Sequence, residues 1–242
     1  MDFSIAFILC VSAFTGALVQ GASGFGFAII LMMIMPYFIP YTDALAVASF
    51  TCIFMVSFNV YLHRKHIVWK YLAVPSVVFV ATNFLAIRLL KSVGNDPIWL
   101  KLLGILFVVM AVYLFFGQGK IKIQPSLLNA LLINGVGGII NGLFGAGGVL
   151  VVLYFMAILD DKEEYISTLQ MFFFLTILFD FALRAGNGMV SGIILQYGLS
   201  CLPCIILGIW LGKKLFDKIN SQVLCRIVYG VMILNGIWLV IA

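Results

Sequence analysis

The sequence predicts an all-α integral membrane protein, built from two homologous halves with eight to ten membrane segments, and three observations predict it. Hydrophobic residues fill 64% of the 242 positions and charged residues only 10%, where a soluble domain carries about 25% charged. So few charges cannot cover the outside of a water-soluble fold of this apolar content. The apolar stretches run roughly 16 to 24 residues between interruptions, enough for a helix to cross a hydrocarbon core about 30 Å thick. The short alternating segments of a membrane β-barrel do not occur. Finally, the chain resembles itself at half its length.

That self-similarity centres on two glycine clusters. Residues 16–27 read Gly16-Ala-Leu-Val-Gln20-Gly21-Ala-Ser23-Gly24-Phe-Gly26-Phe27, and residues 137–148 read Gly137-Gly-Ile-Ile-Asn141-Gly142-Leu-Phe-Gly145-Ala-Gly147-Gly148. At an offset of 121, half of 242, all four glycines of the first window fall on glycines of the second, and Gln20 falls on Asn141. Glycine occupies 23 of 242 positions, so chance agreement at one position is about one in ten. The boundary of the duplication is therefore set at 1–121 and 122–242, two repeats within one membrane domain.

Taken in order, each half carries the same five parts. Met1 is followed by Asp2 without the basic patch of a secretory signal, so 3–20 is read as a mature membrane segment, matched by 125–141 in the second half. Each runs into a glycine cluster and is followed by a shorter apolar stretch, 25–39 ending at Met35-Pro36 and 146–159 ending at Asp160-Asp161. Three longer segments complete each half: 41–62, 71–90 and 97–116, then 165–183, 189–212 and 220–241. Pro36, Pro40, Pro97 and Pro125 fall at boundaries, where a missing N–H costs least. Pro75 and Pro203 fall inside segments and are expected to bend them, and Asp43 is expected to cap the third segment.

Five crossings per half, an odd number, would invert the halves relative to each other. The tendency of Lys and Arg to gather in cytoplasmic loops places 63–70, 117–124 and 213–219 inside and both termini outside, with Arg88, Lys91 and Lys101 as exceptions. If the short stretches are re-entrant, the count is eight. The net charge of +5 is explained by such loops and calls for no nucleic acid. The expected location is the cell membrane, inner or plasma, crossed many times; the partners are lipid and a small anionic substrate, with association into a homo-oligomer left open.

A glycine-rich break at membrane depth bares backbone groups, each costing several kcal/mol in hydrocarbon unless buried in protein or facing water. The helix that restarts after the break offers unpaired N–H groups and the positive end of its dipole, which suits an anion. Two such ends around one cavity is the arrangement of a secondary transporter with broken helices. The competing reading is close helix packing by small residues. Neutral side chains accompany the breaks: Gln20, Ser23, Asn134 and Asn141, with Ser49 and Gln170 equivalent at the same offset and Thr51 and Thr168 nearby. Amides and hydroxyls can ligate an oxyanion without a fixed charge to trap it, although a lone Ser or Thr more often bonds back to its own helix.

Ionisable residues inside a membrane are functional candidates. Asp180 and Arg184 are spaced for a helix-surface ion pair; a structural pair near the membrane interface is the first expectation, with coupling or gating as the functional alternative. Asn59 stands at the repeat position of Asp180. His63 and His66, in a basic loop, are read as solvated, so no metal site is expected, nor any cofactor. Cys201-Leu-Pro-Cys204 has redox spacing, but the five cysteines lie in apolar runs and are read as packing groups. No nucleophile–base pair, carboxylate pair or metal cluster suggests an enzyme.

The run Gly21-Ala-Ser-Gly24-Phe-Gly26 leading to Pro36, and Gly142-Leu-Phe-Gly145-Ala-Gly147-Gly148, resemble the sulfite exporter TauE/SafE family of membrane permeases. Ala46-Val-Ala-Ser49 and Ser167-Thr-Leu-Gln170 support the resemblance, which extends over essentially the whole chain. Phe27 and Ala157 depart from it, standing where Gly and Pro are frequent. The resemblance implies a secondary carrier, commonly outward, for sulfite, a sulfonate or another organosulfur anion. The candidate substrate-binding set is Gln20, Gly21, Ser23, Gly24, Phe25, Gly26 and Ser49 with Asn141, Gly145, Ala146, Gly147, Gly148 and Gln170; Asp180 and Arg184 are candidates for coupling or gating. An anion channel and a membrane assembly factor are the alternative classes.

Overall fold

The computed structural model describes residues 2–23, 25–116, 126–216 and 221–241, with the backbone alone at 22–23, 116, 213, 215–216 and 221–225. Gly24, the basic loop 117–124 with Pro125, and 217–219 lie outside the described residues, as does the side chain of Ser23. All described secondary structure is helical. In chain order the helices are α1 Phe3–Ser23, α2 Phe27–Ile34, α3 Tyr41–His63, α4 Ala73–Val93 and α5 Ile98–Phe116, then α6 Leu127–Phe144, α7 Gly148–Ile158, α8 Lys162–Gly186, α9 Gly192–Phe216 and α10 Ser221–Ile241. Every apolar segment expected from the sequence is one of these.

Seven described helices are long and apolar enough to cross a membrane: α1, α3, α4, α5, α6, α8 and α9. The chain is a multi-pass membrane protein. The side chains of α10 are described only from Arg226 onward. At 8 and 11 residues, α2 and α7 reach only about 12 and 16 Å at 1.5 Å per residue, and neither can cross alone. Large apolar side chains such as Phe7, Val77, Leu85 and Leu234 face outward, as a protein solvated by lipid requires. The two short helices are the reverse. Six of the eight residues of α2 are buried, and Val151, Val152 and Phe155 of α7 are sealed in the interior.

Local signals set the ends. Ser126 Oγ accepts the Asn129 N–H at 3.2 Å and caps α6, and Asp161 Oδ1 accepts the N–H groups of Glu163 and Glu164 at 2.9 Å and caps α8. Asp43 is not the cap expected for α3: Pro40 holds that place, and Asp43 lies in the first turn, where its charge complements the helix dipole. Pro75 is likewise displaced from its expected role. It is the third residue of α4, in a turn whose N–H groups have no intrahelical partner to lose, whereas Pro203 does lie inside α9.

Exchanging the first five helices for the last five preserves the main helix–helix contacts. Helix α1 packs along α9 as α6 packs along α4, α3 meets α9 as α8 meets α4, and α3 pairs with α8 and α5 with α10. Helices α3 and α8 run antiparallel: Ser49 of α3 meets Asp180 of α8, while His66, just beyond α3, lies 3.9 Å from Glu163 at the start of α8. Several glycines serve these crossings. A Cβ on Gly208 would stand 2.6 Å from the Phe14 carbonyl oxygen, one on Gly142 2.8 Å from that of Asn83, and Gly104 and Gly236 each 2.6 Å from the other's. Such distances leave no room for a side chain.

Candidate functional site

The first break follows α1. Gly26 has φ 106° and α2 begins at the next residue. A positive φ there turns the chain back along α1 at no steric cost, since glycine has no Cβ. Gln20, one turn before the end of α1, reaches across the break, and its Oε1 accepts the Phe27 N–H at 3.1 Å. The amide thus caps α2.

The second break has the same parts differently connected. Gly145 has φ 69° and returns its N–H to the Asn141 carbonyl at 2.8 Å, closing α6. Helix α7 then starts at Gly148 with no side-chain cap, so its leading N–H groups are left for another acceptor. Asn141 does not cap α7 as Gln20 caps α2. Its Nδ2 donates to Asp180 Oδ1 at 3.2 Å.

Both breaks open onto one cavity of about 620 Å³, its mouth included. Gln20, Phe25 and Gly26 line it from the first break, and Asn141, Gly145, Ala146 and Gly148 from the second. Cys52 and Val56 of α3, Phe79 of α4, and Phe173, Thr176 and Ile177 of α8 complete the wall with Ala28, Ile29 and Val149. The lining is apolar apart from two amides, one hydroxyl, one thiol and the bared backbone. A ligand held there would be fixed by a few polar contacts in an otherwise dry setting.

Behind the Asn141 side of the wall lies a buried polar network. The Asp180 carboxylate accepts from Ser49 Oγ of α3, from Asn83 Nδ2 of α4 at 2.9 Å, and from Asn141 Nδ2 of α6. Arg184 adds its Nε at 2.9 Å and Nη2 at 3.2 Å. The pair forms at the expected spacing, but it is interior and not on a helix surface: Arg184 is 0% exposed and Asp180 1%. Nη2 of Arg184 also donates to the carbonyl oxygens of Asn141 at 3.4 Å and Gly142 at 3.1 Å, and Tyr41 Oη donates to that of Leu143 at 2.6 Å.

The thirteen substrate-binding candidates therefore divide. Seven line the cavity: Gln20, Phe25, Gly26, Asn141, Gly145, Ala146 and Gly148. Gly21 faces Ile209 and Gly212 of α9, and Gly147 packs against α6 at Gly137 and Asn141, so these two are packing glycines. Ser49 serves Asp180, and Gln170 is buried on α8 away from the lining. Thr51 bonds back to Val47 and Ala48 of its own helix, whereas Thr168 accepts the Val68 N–H at 2.9 Å. Asn83 and Thr176 are new. Each lies in a largely apolar stretch, and nothing nearby in sequence reveals the partner that tertiary packing supplies.

Three comparisons with known proteins bear on this site. The model of a family described as sulfite exporter TauE/SafE matches residues 8–239. A probable membrane transporter protein of Methanocaldococcus jannaschii is 30% identical over 152 residues, covering 59% of this chain and 56% of that one. The chain thus spans little more than half the length of that relative. No solved structure matches the chain.

Proposed function

The chain belongs to the sulfite exporter TauE/SafE family, and from that premise we propose that it is a secondary membrane transporter of a small anion, held between the starts of α2 and α7. Sulfite, a sulfonate or another organosulfur anion is the substrate class, and export the direction that the family name suggests. The observation that carries the reading is that two helix starts from opposite halves of the chain line one largely apolar cavity. Each start presents the positive end of a dipole and N–H donors. Neither brings a lysine or arginine to the lining that would hold an anion too tightly to release. Multi-pass membrane insertion and a transporter relative agree with this reading.

The mechanism follows from the uneven breaks. The uncapped N–H groups of α7 donate to the anion first. Gln20 would yield the Phe27 N–H to a second oxygen of the substrate, and rotation of its amide would let donation through Nε2 replace acceptance through Oε1. The antiparallel relation of α3 to α8 supports inverted repeats, whose rocking about a midplane site alternates access between the two sides. Insertion in the cell membrane is part of the proposal.

Thermal unfolding of the purified protein against sulfite, sulfate, thiosulfate and small sulfonates tests it. A ligand at 100 times its Kd adds about 2.7 kcal/mol to the stability of the folded state. Selective stabilisation by one sulfur oxyanion class is expected. Absence of any anion-dependent shift would favour an assembly role.

A further inference from the structure

The two breaks differ in how the preceding helix ends. A helix C-terminus carries a partial negative charge, on the order of half a unit, on its unpaired carbonyls. At the second break this end of α6 lies beside the cavity, where it opposes an anion. It is covered by donors: Arg184 Nη2 reaches the carbonyls of Asn141 and Gly142, and Tyr41 that of Leu143. Asp180 is held by Ser49 of α3, Asn83 of α4 and Asn141 of α6, while the guanidinium is the member of the pair that reaches the carbonyl end of α6. Arg184 is fully buried, and its Nη1 has no hydrogen-bond partner among the described residues. Asn141 both lines the cavity and bonds Asp180, and its main-chain carbonyl accepts from Arg184, so the ion pair meets the cavity through this one residue in a low-dielectric wall. At the repeat positions of Asp180 and Arg184 the first half carries Asn59 and His63, without a permanent cation.

We propose that Arg184 sets the charge preference of the cavity through its wall, cancelling the carbonyl end of α6, so that the second break receives the anionic charge and the first break serves access. Arg184 is a positioning residue in this account and does not touch the substrate; the proposal rests on the anion-transport reading above. Asp180 moderates it, keeping the buried cation neutralised enough for the anion to leave.

The test is sulfite flux in proteoliposomes, with half-saturation and maximal rate measured separately. The double variant Asp180→Asn/Arg184→Gln removes both charges together, which avoids a buried unpaired ion. Its half-saturation concentration should rise about tenfold, the order of a partly buried helix-end charge effect, with maximal flux changed far less. Asp180→Asn alone leaves the cation uncompensated and should lower half-saturation and slow maximal flux together. Wild-type half-saturation in the double variant, or weaker sulfite in Asp180→Asn, would overturn the proposal and leave anion transport standing. A wild-type protein that neither carries sulfite nor is stabilised by it overturns both.

Discussion

Gln20 and Asn141 occupy equivalent places in the two halves, yet one holds the start of α2 and the other holds a carboxylate. The difference is testable by a single atom's change. Glutamate at position 20 can accept the Phe27 N–H as glutamine does, so Gln20→Glu should leave the unfolding temperature within a few degrees of wild type. Its negative charge would face the cavity, and anion-dependent stabilisation should disappear. Persistence of that stabilisation would place the anion elsewhere. Asp180 gives the opposite kind of prediction. Asp180→Ala strands Arg184 without a counter-ion among buried neighbours, a loss of about 3–5 kcal/mol, visible as a lowered unfolding temperature in detergent. The candidate amides were legible in the sequence because they recur at the repeat offset. Asn83 was not, since its partner Asp180 is 97 residues away and only the packing of α4 against α8 and α6 joins them.

At the scale of helices, the glycine clusters do two jobs that sequence alone could not separate. Those before each break are contact surfaces, as Gly21 is against α9 and Gly142 against α4; Gly26, Gly145 and Gly148 shape the breaks and line the cavity. The local pattern is the same for both because a small residue serves close approach and unusual backbone alike. Substitution separates them. Gly142→Ala drives a Cβ to 2.6 Å from the Ala86 Cβ and 2.8 Å from the Asn83 carbonyl, an overpacking cost of about 1–3 kcal/mol. Gly148→Ala meets only the Phe173 ring at 3.2 Å, which can give slightly. Thermal unfolding should fall for the first and stay near wild type for the second. Equal losses would contradict the division.

For the whole molecule, hydropathy and length were sufficient to find every described α-helix, because a lipid-solvated fold writes its spans directly into runs of apolar residues. What they could not fix was the depth of α2 and α7 or the partners of each span. The antiparallel pairing of α3 with α8 supports halves of opposite orientation, with 63–70 and 213–219 on one side. Arg64 stacks over Tyr61 at 4.9 Å and Lys214 over Trp210 at 3.7 Å, basic–aromatic pairs suited to a membrane interface. Single cysteines placed at Lys65 and Lys214 in a cysteine-free background should therefore label from the cytoplasmic side only, and one at Asn187 from the outside only. The central claim, that two interrupted helices share one anion cavity, is met most directly by sulfite flux in proteoliposomes carrying Gly148→Val. The added side chain would stand against the Phe173 ring at the wall of the cavity that both breaks line. Saturable flux in the wild type and its loss in the folded variant is the result expected; undiminished flux through the filled cavity would contradict the account.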